Sequence, residues 1–322
     1  MDKRTKKIFT WILKAGIFLL IAYYIVKVLR SNDNLKEFQE LIRLVPAHIV
    51  YGTLLSVLLM MVLNWHLEAY KWKFLCSRFH RIGMRESVIS VYCGLSWAVF
   101  TPNRIGEYGG RVMFLPAGKR VIGMVTMAVG AFAQLVITNV IGSLSLIWFS
   151  QQHVPRNLWL LICLGAIVYA LIFILIYFNI STLHKWLTGV RFLRKFKRFF
   201  DFMLLYDRPA LHKIFLLSLA RYLVFTAQYC ILMQVFIPDL PFLPMLMTIP
   251  LLFFIQSALP SLDLFDVGVR SITAGFLFGF LTHQDVAVMA VAACVWFVNL
   301  ILPAIVGSVF VFRINFFTNR DR

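Results

Sequence analysis

Six apolar runs, at about residues 8–29, 47–68, 121–149, 157–178, 212–237 and 286–311, constrain this chain more than anything else in it. Each is long enough to cross a hydrocarbon core as a helix, which takes about 17–25 residues. They are continuously apolar, unlike the alternating strands of about ten residues that build a membrane β-barrel. Of the 322 residues 61% are hydrophobic and 14% charged, whereas soluble domains carry roughly 25% charged residues. The expected fold is an all-α polytopic membrane protein, one integral membrane domain over residues 1–322. The start, MDKRTKK followed by apolar residues to about Leu29, resembles a secretory signal. Its apolar run is too long and has no small-residue cleavage site, so a retained first helix is expected.

Two further apolar stretches, 87–102 and 241–260, end at Pro102 and Pro260 and lead into polar, glycine-bearing segments. Proline cannot continue a helix without losing a backbone hydrogen bond, and in lipid that loss must be repaired by protein or cavity water. Broken, re-entrant hairpins over about 87–118 and 241–282 are the simplest expectation. The basic residues test it. With the N-terminus cytoplasmic and the first hairpin returning to its own side, twenty-two Lys and Arg fall on the cytoplasmic side and four outside, as positive-inside topology requires. Both termini are then cytoplasmic, the first hairpin enters from the cytoplasm and the second from outside. Oppositely inserted broken elements are what an inverted repeat produces, and transporters often bind substrate where they meet. No internal sequence repeat proves this, and two unrelated loops remain an alternative.

The formal charge of +18 could suggest nucleic acid. However, the cations cluster between apolar runs and form no aromatic-basic reading surface, so no nucleic-acid partner is expected. At about 182–208, Trp186, Phe192, Phe196, Phe199 and Phe200 interleave with Lys185, Arg191, Arg194, Lys195, Lys197 and Arg198. This reads as an amphipathic helix on the cytoplasmic leaflet, where anionic lipid attracts each cation by about 1 kcal/mol. The five cysteines are scattered without a CxxC pair, and small packing residues are expected rather than disulfides or ligands. Walker A, GxSxG and HExxH sequences are absent, His66-Leu-Glu68 included. No metal or other cofactor is expected.

The chemistry gathers in two stretches. TPNRIGEYGGR places Arg104, Glu107 and Arg111 after Pro102, and LPSLDLFDVGVRS places Asp263, Asp266 and Arg270 after Pro260. In each, an acid precedes an arginine by four residues, a spacing that allows pairing on one helical face. Pro102, Gly106, Pro260 and Gly268 are the candidate hinges. Charges at membrane depth cost about 2.5–3.5 kcal/mol on insertion scales and normally face a cavity or a partner. A shared polar chamber follows, with Arg104, Arg111 and Arg270 as phosphate partners, since the planar guanidinium bonds two oxygens at once. Glu107 and Asp266 would orient those arginines or meet a cationic headgroup. Internal salt bridges that only brace the hairpins are the competing reading. Arg221, in the fifth run, either lines the chamber or snorkels to the cytoplasmic interface. Gln134, Asn139, Gln228 and Asn299 are weaker polar points.

TPNRIGEYGGR resembles the first signature of the flippase-like family, also called the lysylphosphatidylglycerol synthase transmembrane-region family, with Pro102, Arg104, Gly106, Glu107 and Arg111 in its positions. LPSLDLFDVGVRS resembles the second, through Pro260, Gly268 and Arg270. It departs from the commoner form: Leu262-Asp263 stands near the double glycine, and Ser271 replaces a glutamate whose role Asp266 can take. The resemblance covers nearly the whole chain. It implies a bacterial or archaeal plasma-membrane protein that moves, or helps move, a lipid between leaflets. Some members fuse this unit to a soluble aminoacyl-transferase; because this sequence ends at Arg322 after its last span, that half is expected to be missing.

Three functions are open at this point. The first is a lipid flippase-like transporter of an anionic or lipid-linked phosphate headgroup, whose partner is a membrane phospholipid or lipid-linked substrate. The second is a non-transporting partner of a separate synthase or cell-envelope enzyme. The third is an intramembrane lipid-modifying enzyme with Glu107 or Asp266 as base; with no catalytic motif, an enzyme is the less expected.

Overall fold

A computed structural model describes residues 40–311 apart from 41, 44, 100, 102, 103, 193, 195, 196 and 259–262, with the backbone alone at 198, 263–266 and 311. The regular structure among these residues is helical. A long helix, α1 (Ala47–Cys76), is followed by two short arms, α2 (Met84–Ala98) and α3 (Ile105–Val112), and by a second long helix, α4 (Arg120–His153). α5 (Arg156–Phe178) and α6 (Ile180–Gly189) lead through the short α7 (Lys197–Phe200) to a 3-10 turn at Asp201–Leu205. The opening pattern then recurs: long α8 (Arg208–Phe236), short arms α9 (Phe242–Ala258) and α10 (Asp263–Phe278), and a closing span. That span comprises α11 (Asp285–Trp296), a π turn (Phe297–Ile301) and α12 (Leu302–Val311).

Local sequence sets these boundaries. Pro46 precedes α1, and Val154-Pro155 separates α4 from α5 by leaving the helical region. Asp207 precedes α8, whose first turn holds Pro209, a position where the missing N–H is no loss. Five of the described helices are long and apolar enough to cross a membrane, at Ala47–Cys76, Ala117–His153, Arg156–Phe178, Arg208–Phe236 and Asp285–Phe310. The expected span at 8–29 lies outside the described residues. The chain is a polytopic all-α membrane protein.

Side-chain pairs fix the directions. Lys71 meets Ser218, Glu68 meets Arg221, and Gln228 Nε2 donates to Val57 O at 2.9 Å, so α1 and α8 run antiparallel. Arg78 pairs with Asp207 at 3.1 Å where α1 ends and α8 begins. The first hairpin starts at that end and returns to it, because Lys119 Nζ, just before α4, donates to Phe79 O at 2.8 Å. The second hairpin starts where α8 finishes, at the other end. It leaves there too: Phe280 packs on Phe149 and His153 at the far end of α4, with ring centroids 5.3 and 4.9 Å apart. The two hairpins therefore enter the bundle from opposite ends.

Between helices in lipid there is little hydrophobic driving force, so close approach at small residues does much of the holding. The two halves use it in matching places. A Cβ on Gly142 of α4 would overlap the Phe254 side chain of α9, and one on Gly307 of α12 would overlap Tyr92 O of α2. Each half's closing helix thus seats the first arm of the other half's hairpin. Within the first hairpin the arms cross at Gly94 and Gly110, where a Cβ on Gly110 would lie 2.7 Å from Gly94 Cα.

Three expectations change. α1 continues to Cys76, so Lys71, counted with the cytoplasmic cations, is buried inside the bundle at 1% exposure. The basic segment is not one amphipathic helix. It stops at Gly189 and folds back, with His184 Nε2 and Asp201 Oδ1 at 2.7 Å, while Trp186 and Phe192 stay exposed. The last span is interrupted by its π turn. Gly307→Ala and Gly142→Ala are each expected to destabilise by ~1–3 kcal/mol through overpacking, read as a lower thermal midpoint in detergent. Gly52→Ala, with nothing within 4 Å of its Cβ position, should leave the midpoint unchanged or slightly higher.

Candidate functional site

On α1, Asn64, Glu68 and Lys71 recur at helical spacing on one face, with Trp65 beside them; residues three and four apart are neighbours there. Glu68 Oε1 accepts from Arg111 Nη1 at 2.6 Å, and Oε2 meets both Lys71 Nζ, at 2.8 Å, and Arg221 Nη1. Glu107 Oε1 meets Arg111 Nη2, and its Oε2 lies 3.0 Å from Arg104 Nη2. All four carboxylate oxygens therefore face cations, and Arg111, 2% exposed, bridges the two acids. The expected Glu107–Arg111 pair forms. With both oxygens on guanidinium groups, Glu107 is not placed as a free general base.

Beside this network lies a cavity of about 490 Å³ between the hairpins. Arg104, Glu107 and Tyr108 reach it from the first hairpin, and Gln256, Ser257 and Arg270 from the second. α1 supplies Glu68 and Lys71, and α8 supplies Arg221. Four cations line it against two carboxylates among the described side chains, an excess of positive charge in a low-dielectric setting where charges act strongly. Arg270 Nη1 donates to Gln256 Oε1 at 3.1 Å, which ties α10 to α9. Arg221 Nε donates to Asn64 Oδ1 at 3.0 Å.

The floor of this arrangement is Trp65. The Arg221 guanidinium carbon sits 5.0 Å from its ring centroid and that of Arg104 5.9 Å, both within cation–π range. Trp65 Nε1 donates to Asn299 O at 3.2 Å, inside the π turn. Asn299 O has no α-helical partner four residues on, because Pro303 lacks an N–H, and it accepts from the indole instead; π turns occur often at functional sites.

Of the residues singled out by sequence, Arg104, Glu107, Arg221 and Arg270 line one cavity. Arg221 faces the chamber rather than snorkelling. Arg111 lies behind the wall as a brace. Asp266 falls one turn before Arg270 on α10, its side chain outside the description, and Pro102 and Pro260 are likewise outside it. Gly106 and Gly268 sit inside helices without positive φ. Gly106 serves close approach: a Cβ there would overlap Trp97 O, and its N–H donates to Thr101 Oγ1 at 2.6 Å. Gly268 has nothing within 4 Å of its Cβ position. The left-handed residue at the first tip is Arg104, with φ 57° and ψ 27°. Gln134 and Asn299 line the cavity, whereas Gln228 bonds Val57 and Asn139 accepts from Tyr169 OH at 3.2 Å.

Sequence reasoning missed Glu68, Lys71 and Trp65. The signal was present, as an acid near the end of an apolar run with a lysine three residues on. Because Glu68 balances three cations, Glu68→Gln should cost ~3–5 kcal/mol, the usual loss on breaking a buried pair. Glu68→Gln with Lys71→Met should recover part of that, since one unbalanced charge is gone. Thermal unfolding of both purified variants measures the difference.

No curated protein matches the chain. The profile of a family described as the lysylphosphatidylglycerol synthase TM region matches residues 11–307. That match relates this multi-pass membrane protein to lipid metabolism or transport, and it covers both hairpins and the helices around them. The chain belongs to the lysylphosphatidylglycerol synthase TM-region family.

Proposed function

We propose that the protein is a lipid flippase-like transporter that moves an anionic or lipid-linked phosphate headgroup between leaflets. The observation that carries this is the cavity between two oppositely entering hairpins, walled, among the described side chains, by more cations than carboxylates. A charged headgroup crosses hydrocarbon only at high cost. A polar hollow at the junction of the two hairpins lowers that barrier for the headgroup while the acyl chains stay in lipid. Arg104, Arg221 and Arg270 meet the phosphate, Lys71 adds a point charge, and Trp65 with the two acids orients the arginines. Arg111 acts indirectly, by holding Glu68 and Glu107.

The proposed membrane is the plasma membrane, and the distribution of Lys and Arg in the sequence supports a cytoplasmic side for the first hairpin's open end and both termini. Burial of Lys71 removes one cation from the cytoplasmic count and leaves that bias intact. The headgroup's supplier or consumer is a separate lipid synthase or cell-envelope enzyme.

The reading is tested with purified protein in vesicles that carry a trace of labelled phosphatidylglycerol, whose access to an external quencher is followed in time. Arg104→Gly and Arg270→Gln should slow flipping by about 10–100-fold, the worth of a charge-assisted hydrogen bond. Arg104→Gly should also keep the parent's stability within about 1 kcal/mol in thermal unfolding, because glycine removes the left-handed strain as the Glu107 contact is lost. Equal flipping in the parent and in both variants would refute these assignments. No flipping by the parent protein would favour the non-transporting partner.

A further inference from the structure

The cavity has a cationic wall and a neutral one. Its charged residues come from α1, α8 and the hairpins; α4 and the closing span contribute Gln134, Trp296 and Asn299 and no charge. Four side-chain atoms lining the cavity are buried without a hydrogen-bond partner among the described residues: Gln134 Oε1, Asn299 Oδ1 and Trp296 Nε1 on the neutral side, and Tyr222 OH on α8. Tyr222 and Trp296 are each 4% exposed and Asn299 is 7%. Buried polar atoms are normally satisfied, and an orphan of this kind asks for an explanation. Four of them around one cavity point to a ligand that supplies the missing bonds.

The chemistry of that ligand follows from the set. Gln134 Oε1 and Asn299 Oδ1 accept, Trp296 Nε1 donates, and Tyr222 OH does either. Hydroxyl groups, which both donate and accept, satisfy such a mixture. An ammonium group only donates and prefers a carboxylate; among the described side chains the carboxylates at the cavity are Glu68 and Glu107, and all four of their oxygens are already held by Lys71, Arg104, Arg111 and Arg221. The lining cations would also repel it.

Building on the anionic-headgroup reading above, we propose that the lipid bound here joins its phosphate to a neutral, hydroxyl-bearing headgroup, such as a glycerol, an inositol or a sugar. The phosphate lies on the arginines and the hydroxyls face Gln134, Tyr222, Trp296 and Asn299. Lipids with ammonium headgroups are discriminated against.

The test compares binding of four lipids to the purified full chain in nanodiscs of neutral phosphatidylcholine. Phosphatidylglycerol carries phosphate and hydroxyls, and phosphatidylmethanol the same charge without hydroxyls. Phosphatidylethanolamine and lysylphosphatidylglycerol carry ammonium groups. Phosphatidylglycerol should bind about tenfold tighter than phosphatidylmethanol, as one or two net hydrogen bonds allow, and the ammonium lipids should bind more weakly than either. Gln134→Leu and Asn299→Leu should each lower phosphatidylglycerol affinity by about three- to tenfold. Phosphatidylmethanol affinity should stay unchanged, which also reports that the variants fold. Should Asn299→Leu fail to fold, Gln134→Leu alone decides. Equal affinity for phosphatidylglycerol and phosphatidylmethanol, with both variants inert, overturns the hydroxyl assignment while leaving the anion reading in place. Preference for either ammonium lipid overturns the assignment as well. Failure of both anionic lipids to bind overturns the reading beneath it.

Discussion

Arg111 is the tie on which the charged centre depends. It is buried in the bundle, and its two terminal nitrogens reach Glu68 on a long helix and Glu107 on a short hairpin arm. A guanidinium so placed cannot lose its charge, so both carboxylates must be where they are. Glu68 then draws in Lys71 and Arg221, and Glu107 draws in Arg104. Through these contacts one network joins α1, α3 and α8. Desolvating so many charges is costly, and the gain in net stability over an apolar core is small at best. What the network supplies is position: the start of α3 is held against two long helices, with its charges enclosed by protein, as polar groups within a bilayer require.

The same economy of parts shapes the frame. α1 and α8 lie antiparallel, so whatever follows each of them starts from opposite ends of the bundle. Each following hairpin is seated on the closing helix of the other half, at Gly307 and at Gly142. This reciprocal seating is what a two-fold relation between halves would produce, although no sequence repeat between the halves is strong enough to prove one. The halves differ where the chemistry is. The first hairpin is cinched at Gly94 and Gly110, while the second is tied across its arms by Arg270 and Gln256. The π turn occurs in the second half's closing span, where Asn299 O receives Trp65.

Much of this was legible in residue order. Continuous apolar runs fix helices, and proline ends to short runs marked the hairpins, because a backbone break in lipid needs protein around it. The acid-arginine spacing gave the Glu107–Arg111 pair. The tip geometry was not legible, since sequence punctuation points to proline and glycine as the flexible places. Gly106 is instead required for its lack of a side chain against Trp97 O, and the unusual backbone belongs to an arginine. Glu68 and Lys71 escaped notice because a basic cluster beside an apolar run reads as a loop. Lys71 became interior because α1 runs about two turns past the point where hydropathy fades. Which polar residues of the spans face the cavity could not be read either: Gln134 and Gln228 look alike in sequence, and only packing separates a cavity wall from a helix-to-helix bond.

Arg104 gathers these threads. A non-glycine residue with φ 57° gives up roughly 1–2 kcal/mol relative to an ordinary backbone. Glycine would remove that cost, and the flanking sequence is already rich in glycine, so the position is not one where glycine is hard to place. An arginine there delivers a cation to the cavity wall, over Trp65 and 3.0 Å from Glu107. Strain of this kind persists where the surroundings over-determine it, and it concentrates at binding and catalytic sites. The surroundings here do so: Thr101 Oγ1 holds the N–H of Gly106, the arms are locked at Gly110, and the carboxylate next to Arg104 is itself pinned by Arg111. An ion pair that merely braced the hairpin could have been built from an unstrained position on α3, as Arg111 shows. The strained backbone instead orients the one cation of the first hairpin that lines the cavity, which argues that this charge is placed for a ligand.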